Sequence, residues 1–338
     1  MAARATRRYN GAVRIEPFDP RTADEAVARA YTDFLRAHTR EQWPSGLVAP
    51  AEYVLNRLRN TSGRHRVFLW LAWDGPSLVG AGELTWWEAE DNRDRAWFHP
   101  AVAPGRDVAP VLAALFAAAE EHVRPLGRTM LNVETVHGDA VGRWVTGRGG
   151  TLGSVEQLNV VRLRSVSRDD VAALAAPPAG YELVAFDGDC PDDLLERYTR
   201  LMDTMNTAPR DDLTMDDWVY TPDRVRDYEA GLRARGHTMW TVLARAVDTG
   251  ELAAFNQLVR LPEWPEVIEN EDTAVAVPHR GHGLGLCVKA VNLLRALDSG
   301  AEAIVTWNAA SNEHMLRVNR RLGFVCEHEW DSWELRLP

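Results

Sequence analysis

Residues 277–286 read Val-Pro-His-Arg-Gly-His-Gly-Leu-Gly-Leu, and their types and spacing suit the holding of an anion. A strand that ends in glycines and opens a helix leaves several backbone N–H groups aimed at one spot, and the helix N-terminus adds a partial positive charge. Arg280 adds a full charge, while Gly281, Gly283 and Gly285 carry no Cβ to keep a phosphate away from the backbone. The other reading is a glycine-rich turn that only reverses the chain. A dinucleotide-binding loop fits less well, because the spacing is GxGxG rather than GxGxxG and too little chain follows Gly285 for the remaining strands. A P-loop needs GK[ST], which this stretch lacks.

Such a loop works only between a strand and a helix. Thr273–Val277 (TAVAV) supplies a strand pattern before it, and LCVKAVNLLRAL supplies a helix after it. In that helix Cys287, Ala290, Val291, Leu294 and Leu297 fall on one face, with Lys289, Asn292 and Arg295 opposite. Cys287 therefore reads as core rather than as a nucleophile. Upstream, TMWTVLARAV, DTGE and LAAFNQLVRL read as strand, turn and returning strand, and EAIVTW downstream is a further strand.

The first half of the chain repeats this plan. Offset by 174 positions, Leu78 falls on Leu252, Leu84 on Leu258, Pro104 on Pro278, Arg106 on Arg280 and Gly149 on Gly323. RVFLWLAW, DGPS and LVGAGELTWW take the parts of the second hairpin. The expected fold is α+β twice over, in tandem domains at residues 11–165 and 179–338, each a mostly antiparallel twisted sheet with flanking helices. The segment 166–178, which runs into Pro-Pro-Ala-Gly, reads as the linker.

Composition narrows the function classes. Apolar residues make up 46%, enough for two filled cores, and the net charge of −11 argues against nucleic acid, whose phosphates call for clustered Lys and Arg. It favours cationic substrates through the long-range field. The N-terminus is basic without the apolar stretch of a signal peptide, and the longest wholly apolar run, Val111 to Ala119, is far too short to span a bilayer. Three widely spaced cysteines with no CxxC read as reduced thiols, and no metal-ligand spacing stands out. A cytoplasmic protein with no membrane partner is expected, as a monomer or homodimer.

Arg280-x-x-Gly283-x-Gly285 after a strand resembles the R/Q-x-x-G-x-G/A signature of the GNAT superfamily of N-acetyltransferases, whose loop grips the pyrophosphate of acetyl-CoA. TWNAASNEHMLRVNRRLGF (306–324) is similar to that superfamily's closing strand–helix segment, and MNTAPRDDLTMDD (205–217) to the substrate-side loop of tandem GNAT proteins from actinobacteria. The resemblance implies acetyl-CoA as co-substrate, with Gly281, His282 and Leu284 joining Arg280, Gly283 and Gly285 in the pyrophosphate loop. It implies that the backbone of Thr273, Ala274 and Val275 pairs with the pantetheine arm. Asn312 matches the family's asparagine near pantetheine and Asn308 is a second polar group there; helix capping is the other reading of both.

Acetyl transfer to an amine needs the amine neutral, so a base or a path to water must take its proton, and donors must meet the charge developing on the thioester oxygen. The run IENEDTAV offers carboxylates. In strand alternation Glu269, Glu271, Thr273 and Val275 share one face and Asp272 takes the other. In the resembled family a base glutamate often lies four residues before the cofactor-pairing segment, which points to Glu269, with Asp272 as the second candidate. A solvated acidic approach to the strand is the other reading. The family's usual acid, a tyrosine, is replaced by Asn319, which leaves reprotonation of the thiolate to water, Tyr220 or His279. Asp211, Asp212, Asp216 and Asp217 either attract a cationic amine in the loop over the acceptor site or form a solvated, capping turn.

In the first copy Asp107, Ala109 and Val111 stand at the offsets of the three glycines, with Pro110 and Pro100 at the offsets of Leu284 and Ala274. Asp107 repels phosphate and the prolines remove donors, so the first copy is expected not to bind acetyl-CoA. The function expected is N-acetylation of a small-molecule amine. A mycothiol-synthase-like acetylation of an amino-sugar conjugate and a catalytically silent acetyl-CoA-binding module are the alternatives.

Overall fold

The computed structural model describes residues 7–9, 13–43 and 46–338. Most of the basic N-terminal segment, and the expected domain start at residue 11, lie outside them. The chain forms two compact units. One comprises residues 1–156, 210–216 and 329–338, and the other residues 157–209 and 217–328. Neither is contiguous, in contrast to the expected domains.

The first unit opens with β1 (Arg7–Tyr9), β2 (Val13–Phe18), α1 (Glu25–Gln42) and α2 (Ala51–Arg59). The hairpin β3 (His65–Asp74) and β4 (Ser77–Trp87) follows, then β5 (Arg95–Val102), α3 (Val108–Val123), β6 (Met130–Val136) and α4 (Ala140–Gly147); β7 (Thr151–Arg162) has residues 157–162 in the second unit. The second unit carries α5 (Arg168–Leu174), β8 (Tyr181–Asp187), α6 (Asp192–Met202) and α7 (Pro222–Ala234). It continues with β9 (Thr238–Ala246), β10 (Leu252–Arg260), β11 (Val267–Val275), α8 (Leu284–Leu297), β12 (Ala303–Ala309) and α9 (Glu313–Arg321); the last strand, β13 (Val325–Arg336), has residues 329–336 in the first unit.

The strand order β1-β2-β3-β4-β5-β6-β13 in the first unit is mirrored by β8-β9-β10-β11-β12-β7 in the second. In each, a meander of antiparallel pairs ends in one parallel pair, β5 with β6 and β11 with β12. Both hairpins shift register just after the turn, at Ala72–Gly80 to Trp73–Leu78 and at Ala244–Ala254 to Arg245–Leu252. The matched positions Leu78 and Leu252 thus share a structural as well as a sequence position.

The exchange of ends has a simple cause. Trp330–Arg336 of β13 pairs with Val136–Met130 of β6, and Leu335 is buried in the first unit's core with Trp333 packed against it. Residues 210–216 join the same unit through buried polar bonds. Arg95 Nη1 donates to Glu334 Oε1 at 2.8 Å, and the Thr214 N–H and hydroxyl donate to the same carboxylate at 2.9 and 2.8 Å. The expected linker is largely a helix: α5, capped by Ser167, packs Val171, Leu174 and Ala175 on Leu286, Ala290 and Leu293 of α8.

In the second unit α6 covers one sheet face, with Leu194, Tyr198 and Leu201 on Leu243, Phe255 and Ala274, and α8 covers the other, with Leu284 and Val288 on Ala244 and Ala254. Helix α8 lies between the sheet and α5, so its expected polar face is buried too: Lys289 is 4% exposed and Asn292 0%. The Asn292 amide is accommodated because it donates to main-chain oxygens of Trp240 and Asn256 at 3.3 and 3.2 Å.

Candidate active site

The glycine-rich loop runs, as predicted, from the end of a strand into a helix. Val275 ends β11, and Gly281 and Gly283 adopt φ of 84° and 80°, a region an L side chain enters only with strain. Gly283 is the N-cap of α8 and offers no side-chain cap, so the first N–H groups of the helix stay open to a ligand. Gly285 serves packing: a Cβ there would lie 3.3 Å from Val275 Cγ2. His279 and His282 brace the loop against β8. His279 Nδ1 lies 3.0 Å from the Tyr181 hydroxyl, and His282 Nδ1 lies 3.2 Å from the His279 carbonyl oxygen.

A cleft of about 320 Å³ runs from this loop along the end of β11. Of the expected cofactor residues it is lined by Thr273, Ala274, Val275, Arg280, Gly285 and Asn312. Arg280 reaches across it, donating from Nε to the Val275 carbonyl at 3.1 Å and from Nη2 to Thr207 Oγ1 at 2.5 Å. Asn312 is both wall and helix cap, its Oδ1 accepting the Met315 N–H at 3.1 Å. Gly281, His282, Gly283 and Leu284 form the loop beside the cleft, and the Leu284 side chain is buried in the core.

Asn308 is not among the lining residues. Its Oδ1 accepts from Asn319 Nδ2 at 2.7 Å, and Asn319 is fully buried. The remaining wall consists of Thr204, Met205, Thr207, Ala208 and Pro209 after α6, all but Thr204 within the stretch likened to a substrate-side loop, and of His314, Met315 and Val318 on α9. The α9 residues were missed in the sequence, and their i, i+1, i+4 spacing on one helix face was the available signal.

The carboxylates correct the expected alternation. Asn256 pairs with Thr273 and Leu258 with Asn270, so Glu271 and Asp272 together stand opposite the single residue Gln257. This is a β-bulge, and it inverts the faces on either side of itself. Ile268 and Val275 pack on the α8 side. The three carboxylates interact with Tyr228 of α7, and Asp272 also with Tyr198 of α6. Glu269 therefore does not share a face with Thr273 and Val275; it sits with Glu271 and Asp272 on the α6–α7 side. Burial pushes the Asp272 carboxyl up to about 6. Glu271 is raised as well, by burial and then by the charges of Glu269 and Asp272; it still meets solvent and takes a hydrogen bond from Tyr228.

The aspartates of the 205–217 stretch are engaged elsewhere. Asp211 accepts from Ser154 Oγ at 3.0 Å and Asp216 from the Asn92 N–H at 3.3 Å, both within the first unit. Cys287 is buried, its Sγ 3.4 Å from the Ala175 carbonyl oxygen.

The first copy shows why its loop differs. Asp107 is the N-cap of α3 and accepts the Ala109 N–H at 3.1 Å, so the protein's own carboxylate occupies the helix N-terminus. Arg106 pairs with Asp74 at 3.2 Å. Strands β4 and β5 pair without a bulge, and Pro100 stands opposite Gly82 as Thr273 stands opposite Asn256. Pro100 is thus the counterpart of Thr273 rather than of Ala274.

Residues 199–324 match the model of the Acetyltransferase (GNAT) family. Among solved structures the chain is similar to a tandem GNAT protein from the clavulanic acid biosynthesis pathway, solved without acetyl-CoA. The identity is 24% over 96% of this chain and 98% of that one, with a TM-score of 0.77. It is also similar to a GCN5-related N-acetyltransferase from Sphaerobacter thermophilus, at 13% identity, 95% of both chains and a TM-score of 0.71. A putative acetyltransferase from Pyrococcus horikoshii gives 14% identity, 98% and 92% coverage and a TM-score of 0.57. These likenesses show the fold. No curated protein sequence matches the chain.

Proposed function

We propose that the chain, whose residues 199–324 match the acetyltransferase (GNAT) family model, is an acetyl-CoA-dependent N-acyltransferase that moves an acetyl group to a primary amine of a small molecule. The second unit carries the chemistry. One observation supports this above the rest. A single cleft begins at the open N–H groups of α8 and Arg280, follows Thr273–Val275, and adjoins the bulge that bears Asp272.

In this reading Arg280 and the N-terminus of α8 hold the pyrophosphate, with Arg280 leaving Thr207 to do so. The backbone of Thr273–Val275 orients the pantetheine arm. Asp272 accepts the proton as the amine nitrogen attacks the acetyl carbon. The C–S bond then breaks, and the thiolate takes its proton from water, because Asn319 is buried and committed to Asn308. An Asp near pKa 6 suits the task, being ionised at neutral pH and still basic.

The test is thiol release from acetyl-CoA against a panel of amines that includes amino sugars and their conjugates. Amine-dependent release supports the proposal, and a preference for amino-sugar conjugates selects the mycothiol-synthase-like alternative. Tight acetyl-CoA binding with no release for any amine selects the silent binding module, which the buried Asn319 in place of an acid favours.

A further inference from the structure

We infer that Asn256 is a positioning residue: with Asn292, Asn270 and Thr306 it fixes the bulge that turns Glu271 and Asp272 towards α6 and α7. The inference rests on the proposed acetyl transfer for its rate measurement alone.

Asn256 lies in β10, fully buried, directly opposite Thr273. Its amide donates to Asn270 Oδ1 and to Thr273 Oγ1, both at 2.9 Å, which are the residues on either side of the two that bulge. From α8, Asn292 donates to Asn256 Oδ1 at 2.8 Å. The Asn270 amide in turn donates to the Glu271 carbonyl at 2.7 Å. Thr306 of β12 donates to the Asn270 carbonyl at 3.2 Å, one residue beyond the last β11–β12 pair, Glu269 with Val305. A helix and three strands thus converge on the backbone of the bulge.

A buried amide is costly unless it is bonded, and apolar side chains could fill the same volume without that demand. The first copy does so. Gly82 occupies the place of Asn256, and a Cβ there would come within 2.9 Å of Phe98 and 3.3 Å of Leu115. There the strand pairs run unshifted from Gly80–Val102 to Thr85–Trp97. Bulge and asparagine network are present together in one copy and absent together in the other. Side chains along a strand alternate, so removing the extra residue would move either Glu269 or Asp272 to the opposite face. The network therefore sets which side the carboxylates serve.

The test uses the full chain with Asn256→Ser and, as a milder variant, Thr306→Val. Calorimetric binding of acetyl-CoA reports an intact loop. Steady-state rates with an accepted amine and the NMR titration of the Asp272 carboxyl, assigned with Asp272→Asn, report the bulge. Displacement of a reacting group by about 1 Å costs on the order of 100-fold. We therefore expect Asn256→Ser to keep acetyl-CoA affinity within about threefold and to lower kcat by roughly tenfold or more. The Asp272 midpoint should move down towards that of an ordinary carboxylate as water reaches it. Folded variants with a wild-type midpoint would overturn the inference, and failure of both variants to fold would reduce the network to a purely structural role. If the wild type acetylates no amine, the proposed function fails, while the titration still decides the positioning.

Discussion

Replacing Asp272 with asparagine removes the proposed base and little else, because the amide has nearly the shape of the carboxyl. An alkylammonium with a pKa near that of lysine, about 10.4, is free amine in only about one molecule in 2,500 at pH 7. Asp272, raised to about 6 by burial, is by contrast ionised in about nine molecules of ten at that pH. A positioned base contributes about 100- to 10,000-fold. Asp272→Asn should therefore lower kcat/KM at least about 100-fold at pH 7 in a thiol-release assay. Acetyl-CoA affinity should be unchanged. The variant must wait for free amine, so its rate should climb about tenfold per pH unit up to pH 9, whereas the wild-type kcat levels off above about pH 6.

The same burial gives a second reading of this substitution. A carboxyl whose folded pKa lies above its unfolded value makes stability fall as pH rises from about 4 to 6 and leaves it lower above that window. Asp272→Asn should thus melt later than the wild type at pH 7 while being nearly inactive. Glu269→Gln should cost less activity, since Glu269 lies before the bulge, four residues from the cleft-lining Thr273. A wild-type rate and pH profile in Asp272→Asn would refute the assignment, and loss of acetyl-CoA binding would move Asp272 from base to cofactor support.

Arg280→Glu should abolish acetyl-CoA binding in calorimetry while leaving the melting temperature near wild type; Arg106→Ala should change neither, with one acetyl-CoA bound per chain. Glu334→Ala removes the buried partner of Arg95 (their side chains are 5% and 3% exposed) and leaves it only the half-exposed Asp94 as an ion-pair partner, so chemical denaturation should show a loss of up to about 3–5 kcal/mol. Lys289, 4% exposed, is held down to about 7 by burial. A lysine lowered on folding makes stability rise with pH between about 7 and 10, by at most about 1.4 kcal/mol per unit. Lys289→Met should remove that slope and stabilise the chain at pH 7; an unchanged slope would show that the ammonium is not desolvated.

The anion loop and both hairpins were legible because glycine, proline and strand periodicity act locally: Gly281 and Gly283 need positive φ whatever surrounds them. The carboxylate faces were not. IENED carries no alternation of its own, so nothing between Ile268 and Thr273 marks an extra residue; Asn256, fourteen positions before Asn270, fixes it from the neighbouring strand. For the same reason Asn292 reads as an exposed helix position, although its partners, Trp240 and Asn256, lie far back in the chain. The segment 166–178 reads as a linker because its Pro-Pro-Ala-Gly end outweighs the short helix before it, whose apolar side chains find their partner only in α8.

The duplicated frame separates what the fold demands from what the chemistry demands. Both copies keep the antiparallel meander, the register shift after the hairpin turn and the single parallel pair. None of these separates the unit proposed to bind acetyl-CoA from the other. The difference lies where the backbone would have to serve a ligand. At the helix N-terminus Asp107 bonds to its own helix in one copy, where Gly283 leaves the N–H groups free in the other. In the strand Gly82 allows apolar closure, where Asn256 fixes a bulge. Each change is local and compatible with the sheet, so the first copy can lack the proposed acetyl-CoA site and keep its fold. Building the proposed site there would then need both changes: a glycine in place of Asp107 frees the N–H groups but leaves β5 regular, without the bulge that carries Glu271 and Asp272 in the second copy.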